Sequence, residues 1–76
     1  MVREGDKVVI QINDYGRELA TEVYKEAARR GASPLITMVP AEALRGYYEL
    51  TPEEYLHTFP GHYYELVEAS DVVIHI

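Results

Sequence analysis

The chain contains no cysteine and no tryptophan, and it is poor in basic residues. Without cysteine, neither a disulfide framework nor a thiolate metal site can form. Seven Lys and Arg residues stand against thirteen Asp and Glu residues, which gives a net charge of −6. Binding to nucleic acid or to an anionic membrane needs a basic surface. We therefore expect neither nucleic acid nor membrane among the partners.

The sequence also lacks a long apolar run and a signal-peptide h-region. We therefore expect a cytoplasmic protein. Only one Asn and one Gln occur, beside many Glu, Arg and Tyr residues, a bias seen in heat-adapted proteins. With 76 residues, the chain has room for one small domain, residues 1–76, with a limited core.

Local patterns predict strands and helices in alternation. Residues 7–12 form a nearly continuous β-branched run, typical of a strand that is covered on both faces. Residues 17–30 place Leu19, Ala20, Val23, Tyr24 and Ala27 on one helical stripe, and Gly31 then supplies the left-handed position that ends a helix. Residues 35–39 and 72–76 predict two further strands.

The region between the last two predicted strands is less regular. Residues 41–44 predict one helical turn, and residues 62–69 predict a helix with Tyr63, Leu66 and Val67 on one face. Between them, Thr51-Pro52-Glu53-Glu54 has the pattern of a helix start, with Thr51 as N-cap and Glu54 closing a capping box. We expect that helix to cover residues 52–59 and to end at Pro60-Gly61.

The order of these elements predicts an α/β fold, with two or three layers around a three-stranded parallel sheet. Helical crossovers between consecutive strands make the strands parallel. We expect the strand order 2-1-3, because the first strand is the most apolar and suits the central position. Such a sheet leaves apolar surface and open strand edges. Two explanations are open, a piece of a larger α/β protein and a small domain that self-associates, and we expect the first.

The loop Asn13-Asp14-Tyr15-Gly16 follows the first strand, at the end of the sheet where open α/β sheets bind ligands. A phosphate site there would need several glycines and no nearby negative charge. The loop has one glycine and one aspartate, so we expect Asn13 or Asp14 to cap the first helix instead.

No catalytic motif and no metal motif is complete. His57 and His62 lie on either side of Pro60-Gly61, so they cannot share a helical face as zinc ligands do. His75 lies in an apolar strand, which is typical of a core or interface histidine. Asp71 precedes the third strand, so it cannot join Asp14 in a receiver-type phosphorylation site. We expect no catalytic, cofactor or metal residue in this chain.

Six aromatic residues crowd into residues 47–64. Tyrosine combines a large apolar ring with a polar tip, which suits an interface, but the same rings also suit packing of helices on a sheet. Both roles remain open. The candidate interface residues are Tyr47, Tyr48, Tyr55, Tyr63, Tyr64 and His75.

About half of the chain resembles a known family. The segments concerned are Gly5-Asp6-Lys7-Val8-Val9-Ile10, Glu18-Leu19-Ala20, Val23-Tyr24-Lys25-Glu26-Ala27, Arg30-Gly31-Ala32-Ser33-Pro34 and Glu68-Ala69-Ser70-Asp71-Val72-Val73-Ile74. Together they resemble the N-terminal domain of thermophilic metallo-aminopeptidases of the aminopeptidase T type. Members of that family are dimeric exopeptidases, and their two metal ions and catalytic glutamate lie in a C-terminal domain that this chain does not contain.

The resemblance implies a non-catalytic N-terminal domain that contributes to assembly or to substrate access. Its partner would be the missing catalytic domain or a second copy of the chain, and divalent metal ions are expected only in that catalytic domain. The alternative, from a different class, is a stand-alone module that binds a protein or a small ligand and self-associates.

Overall fold

The computed structural model describes residues 2–56 and 61–76. The elements in this part of the chain are strand β1 (Lys7–Ile12), helix α1 (Arg17–Arg29), strand β2 (Ser33–Met38), helix α2 (Ala41–Leu50), a short 3₁₀ helix (Glu53–Tyr55), helix α3 (Gly61–Glu68) and strand β3 (Val72–His75). The three strands lie within one residue or two of the predicted ranges.

The strands form one parallel sheet with β1 at its centre, in the order β2-β1-β3. This confirms the predicted fold class and strand order. In the register of the sheet, Ile10 lies between Ile36 of β2 and Ile74 of β3. Its exposed fraction is 0%, and Val8 and Val9 are almost as deeply buried. The continuous apolar run of β1 thus reflects burial on both faces, as expected for a central parallel strand.

Helix α1 covers the first face of the sheet. Side chains alternate between the two faces of a strand, so Val8, Ile10 and Ile12 share this face. They form one buried cluster with Ala20 of α1, and Val23 packs against its rim. This cluster is the main core of the domain.

Helix α3 lies on the second face, where Val9 and Gln11 point. The hydroxyl of Tyr63 donates a hydrogen bond to Oε1 of Gln11, at 2.6 Å. Further along α3, Leu66 and Ala69 line an apolar groove together with Val9. With helices on both faces, the fold has three layers.

The predicted apolar stripe of α1 is only partly buried. Ala20 and Ala27 are buried, whereas Leu19 is 57% exposed and Tyr24 is 40% exposed. The small alanine side chains face the sheet, and the larger residues beside them remain on the flanks of the helix.

On the outer surface of α1, Glu26 pairs with Arg29 at 3.0 Å and with Arg30 at 3.4 Å. These hydrogen bonds, from Arg29 first and then from Arg30, lower the pKa of the Glu26 carboxyl.

The irregular region differs most from its prediction. The helical turn expected at residues 41–44 is the start of α2, which continues to Leu50. The helix expected at residues 52–59 is reduced to the 3₁₀ helix, and its predicted end at residues 57–60 lies outside the described residues. Thr51 is no N-cap. It is the extended residue that ends α2, and its amide donates to the carbonyl of Tyr47 at 3.0 Å.

Two glycines allow a paired test of backbone conformation. Gly31 ends α1 with φ of +80°, as predicted, and an added Cβ would meet Cγ of Glu4 at 3.0 Å. Gly46 lies inside α2, and an added Cβ would meet only Cδ1 of Leu50 at 4.0 Å. We expect Gly31→Ala to lower the free energy of unfolding by about 1–2 kcal/mol. We expect Gly46→Ala to raise it by up to about 1 kcal/mol. Urea unfolding of both variants checks the opposite signs, and equal signs would contradict this account.

Candidate functional site

The loop at the carboxyl end of β1 ties two helices to the sheet. The amide of Tyr15 donates to Oδ1 of Asn13 at 2.9 Å, which closes a local turn. The carboxylate of Asp14 accepts a hydrogen bond from the amide of Ala41 at 3.0 Å. The amide of Ala41 is at the first residue of α2, so Asp14 binds the start of that helix.

The predicted capping of α1 by this loop is therefore wrong. The N-cap of α1 is Gly16, which has no side-chain cap, and Asp14 instead binds a helix that begins 27 residues later. A carboxylate near a helix N-terminus satisfies an orphan amide and interacts well with the helix dipole. The loop thus uses its polar atoms for structure.

A second carboxylate acts at the opposite end of the sheet. Asp71 precedes β3, and its Oδ2 accepts from the amide of Lys7 at 2.8 Å, while its own amide donates to the carbonyl of Lys7 at 2.8 Å. Since Asp14 follows β1 and Asp71 precedes β3, the parallel sheet separates the two carboxylates. They do not form an acidic pair.

A row of polar side chains crosses the second face of the sheet near its carboxyl end. Gln11 of β1 lies in register between Thr37 of β2 and His75 of β3. Gln11 is half-buried and holds Tyr63 of α3 through the 2.6 Å hydrogen bond. Oγ1 of Thr37 is buried and has no hydrogen-bond partner among the described residues. This row provides neutral donors and acceptors beside one imidazole.

No sequence motif pointed to Gln11 and Thr37 as functional residues. One signal was available, because Gln11 is the only glutamine of the chain and interrupts an otherwise apolar strand. A polar residue inside a buried strand needs a hydrogen-bond partner. The identity of that partner, Tyr63, depends on a contact across 52 positions that no local pattern encodes.

The six candidate interface residues are spread over four elements. Tyr47 and Tyr48 lie on α2, Tyr55 on the 3₁₀ helix, Tyr63 and Tyr64 on α3, and His75 on β3. Tyr63 points inward to Gln11 and is half-buried, whereas the other five are exposed. The structure therefore gives Tyr63 a packing role and brings it close to the strand position that neighbours His75.

Tyr47 and Tyr48 form one aromatic pair. Their ring centroids are 5.5 Å apart and the ring planes are inclined by 77°, an edge-to-face arrangement. Leu44 lies one helical turn before them on the same side of α2. Tyr48 is 64% exposed, and Leu44 is 48% exposed. These three residues are here called the α2 apolar face. Together with Leu50, they give α2 more exposed large apolar side chains than α1 or α3 has among the described residues.

The described histidines do not form a metal site. His62 is exposed in the first turn of α3, and His75 is exposed on β3. The predicted candidate His57 lies outside the described residues. Across residues 2–56 and 61–76, no group of three or more His, Asp or Glu side chains is placed to hold a metal ion. In the same ranges, no helix is long and apolar enough to cross a bilayer.

Comparison of the chain with protein-family models, with curated proteins and with solved structures finds no match.

The bond between Asp14 and α2 can be tested with two substitutions at one position. Asp14→Ala removes the acceptor for the Ala41 amide, and we expect a loss of about 1 kcal/mol in the free energy of unfolding. Asp14→Asn keeps an acceptor oxygen and is expected to lose less than half of that. Urea unfolding gives both values, and amide exchange of Ala41 should quicken only in the alanine variant. Equal losses in the two variants would show that the bond does not hold α2.

The Tyr63 hydroxyl allows a matched comparison with an exposed tyrosine. Tyr63→Phe leaves the half-buried Gln11 carbonyl oxygen without its donor, so we expect a loss of about 1 kcal/mol in the free energy of unfolding. Tyr15 is 95% exposed, and its side chain has no hydrogen bond among the described residues. The control Tyr15→Phe should change stability by less than about 0.5 kcal/mol. A Tyr63→Phe value within the range of the control would argue against a role for the hydrogen bond.

Proposed function

We propose that this chain is a non-catalytic α/β domain that docks on a larger partner, the catalytic domain of a metallopeptidase of the aminopeptidase T type. In this proposal the domain contributes to assembly or to substrate access. The observation that carries the docking role is the state of α2. All ten residues of this helix are described, and none of them is buried.

The pattern of α2 is that of a helix built to pack. Leu44, Tyr47 and Tyr48 recur at helical spacing on one side, while the charged residues Glu42, Arg45 and Glu49 recur on the other. Leu50 at its end is 83% exposed. Helices shorter than about 12–15 residues are marginal in water on their own, and in proteins most helical stability comes from burying an apolar face. Burial of the α2 apolar face against a partner would supply that stability.

The identity of the partner is supported by the resemblance of residues 5–34 and 68–74 to the family's N-terminal domain. The resemblance places the metal ions and the catalytic glutamate in the partner. A non-catalytic role agrees with the contacts of Asp14 and Asp71, because the carboxylates of both residues accept hydrogen bonds from backbone amides. In this arrangement, Asp14 fixes one end of α2 and so orients the docking helix relative to the sheet.

A second candidate is a stand-alone module that binds a small ligand or protein and self-associates. The polar row of Thr37, Gln11 and His75 favours it, because open α/β sheets bind ligands near the carboxyl ends of their strands. The row offers hydrogen bonds to a small polar ligand. It lacks the glycine-rich backbone that phosphate recognition requires.

The docking proposal is tested on the source gene and on the protein it encodes. We expect the reading frame to continue beyond Ile76 into a Glu- and His-rich metal domain, and this domain, expressed separately, to retain residues 1–76 on an affinity column. Tyr47→Ala/Tyr48→Ala should reduce retention at least about tenfold, since buried aromatic anchors each contribute roughly 1–2 kcal/mol. Glu42→Ala/Glu49→Ala, on the charged side of α2, is the matched control and should leave retention unchanged.

Two results would contradict the proposal. A stop codon directly after Ile76 would show that the gene does not encode the proposed partner domain in the same reading frame. Equal retention of the tyrosine and glutamate double variants would show that the α2 apolar face does not bind the partner. A stop codon together with an oligomer that the tyrosine substitutions dissociate would favour the self-associating module.

A further inference from the structure

Strand β3 has the composition of an interior strand but the position of an edge strand. Val72, Val73 and Ile74 form an uninterrupted apolar run, as Val8, Val9 and Ile10 do in β1. Such runs are typical of parallel strands that have neighbours on both sides. In the described structure β3 pairs only with β1, and its three apolar residues are half-buried, whereas those of β1 are fully buried.

The outer backbone groups of β3 are open. The amide of Ile76 donates to the carbonyl of Gln11 at 2.9 Å, so it points toward β1. Backbone groups alternate in direction along a strand, and therefore those of Val73 and His75 point away from β1. Neither residue's outward N–H or C=O has a hydrogen-bond partner in the part of the chain that the structure describes.

The other edge of the sheet is blunted. The amide of Ser33 donates to the carbonyl of Asp6 at 2.7 Å, so the backbone groups of Ser33 point toward β1. By the same alternation, Pro34, Ile36 and Met38 point outward from β2. Proline has no N–H, so the outer edge of β2 lacks a donor near its start. Proline at an edge is one of the devices by which proteins prevent strand pairing.

We propose that β3 pairs antiparallel with β3 of a second copy of this chain, about a two-fold axis that passes beside Ile74. Val73 then lies opposite His75 of the second copy, and His75 lies opposite Val73 of the second copy. In an antiparallel ladder, each such pair exchanges both of its N–H···O bonds. The outward N–H and C=O groups of Val73 and His75 thus all gain hydrogen-bond partners, and the two sheets join into one sheet of six strands.

The geometry of the chain favours a second copy as the occupant. The register is self-complementary, as a two-fold interface requires. An axis perpendicular to the sheet keeps both copies of α1 on one face and both copies of α3 on the other, so the helices do not obstruct the join. Carboxylate repulsion across the axis is weak, because Asp71 of one copy lies about 20 Å along the ladder from Asp71 of the other, beyond the ~8 Å Debye length.

Pairing through β3 does not depend on the partner of α2, and the experiment below distinguishes a failure of β3 pairing from a failure of docking through α2. At millimolar concentration we expect sedimentation equilibrium of residues 1–76 to give twice the mass of one chain. In the same sample, we expect amide exchange at Val73 and His75 to be at least about 100-fold slower than at Ile36 and Met38, the outward amides of β2. Dilution to the monomer should abolish this difference. A monomer at millimolar concentration, or fast exchange at Val73 and His75 in the dimer, overturns the proposal.

Matched substitutions at the two edges add a second measurement. Val73→Pro removes an outward N–H from β3, and Ile36→Pro removes an outward N–H from β2. We expect Val73→Pro to weaken dimerisation at least about 100-fold, and Ile36→Pro and Tyr47→Ala/Tyr48→Ala to change it less than about threefold. Circular dichroism checks that each variant is folded. If a variant is unfolded, the amide exchange of Val73 and His75 in the unsubstituted chain decides whether β3 pairs. A dimer that Val73→Pro leaves intact, or that the tyrosine substitutions dissociate, contradicts pairing through β3.

Discussion

The burial of β1 on both faces is the constraint on which the rest of the structure depends. Its even-numbered apolar residues pack against α1, and its odd-numbered positions face α3. Both neighbouring strands hydrogen-bond to it. A small domain has little other apolar surface to bury, so the strand that touches every layer fixes the positions of all of them. The carboxylates of Asp14 and Asp71 then fasten α2 and β3 near its two ends.

The features that could be predicted from the sequence are those encoded by neighbouring residues. The β-branched run of β1, the helical spacing of α1 and the positive φ of Gly31 all follow from local chemistry. The order of these elements along the chain predicts a parallel sheet, and the apolar run of β1 predicts its central position. The same local rules predict one face of α3, since Tyr63, Leu66 and Val67 are half-buried as expected.

The features that escaped prediction depend on contacts between distant segments. Asp14 has the chemistry of a cap, but the helix that it binds begins at Ala41 and not at the nearby Arg17. Thr51 to Glu54 has the pattern of a capping box, yet Thr51 is the C-cap of α2, and its amide donates a hydrogen bond to the carbonyl of Tyr47. Gln11 and Tyr63 each needed a partner, and only the packed structure pairs them. The helical pattern puts Tyr63 on the apolar face of α3, but it does not show which group receives the hydrogen bond of its hydroxyl.

Pro34 has a consequence for how far an assembly of this fold can grow. A sheet with two equally receptive edges can add copies at both, which leads to fibres with the cross-β spacing. Here the edge formed by β2 has lost a donor, while the edge formed by β3 has not. Once two β3 strands have met, the joined sheet presents only β2 edges to the solvent. Assembly then ends as a closed dimer. Pro34 thereby limits the edge-to-edge polymerisation to which an apolar parallel sheet is otherwise prone.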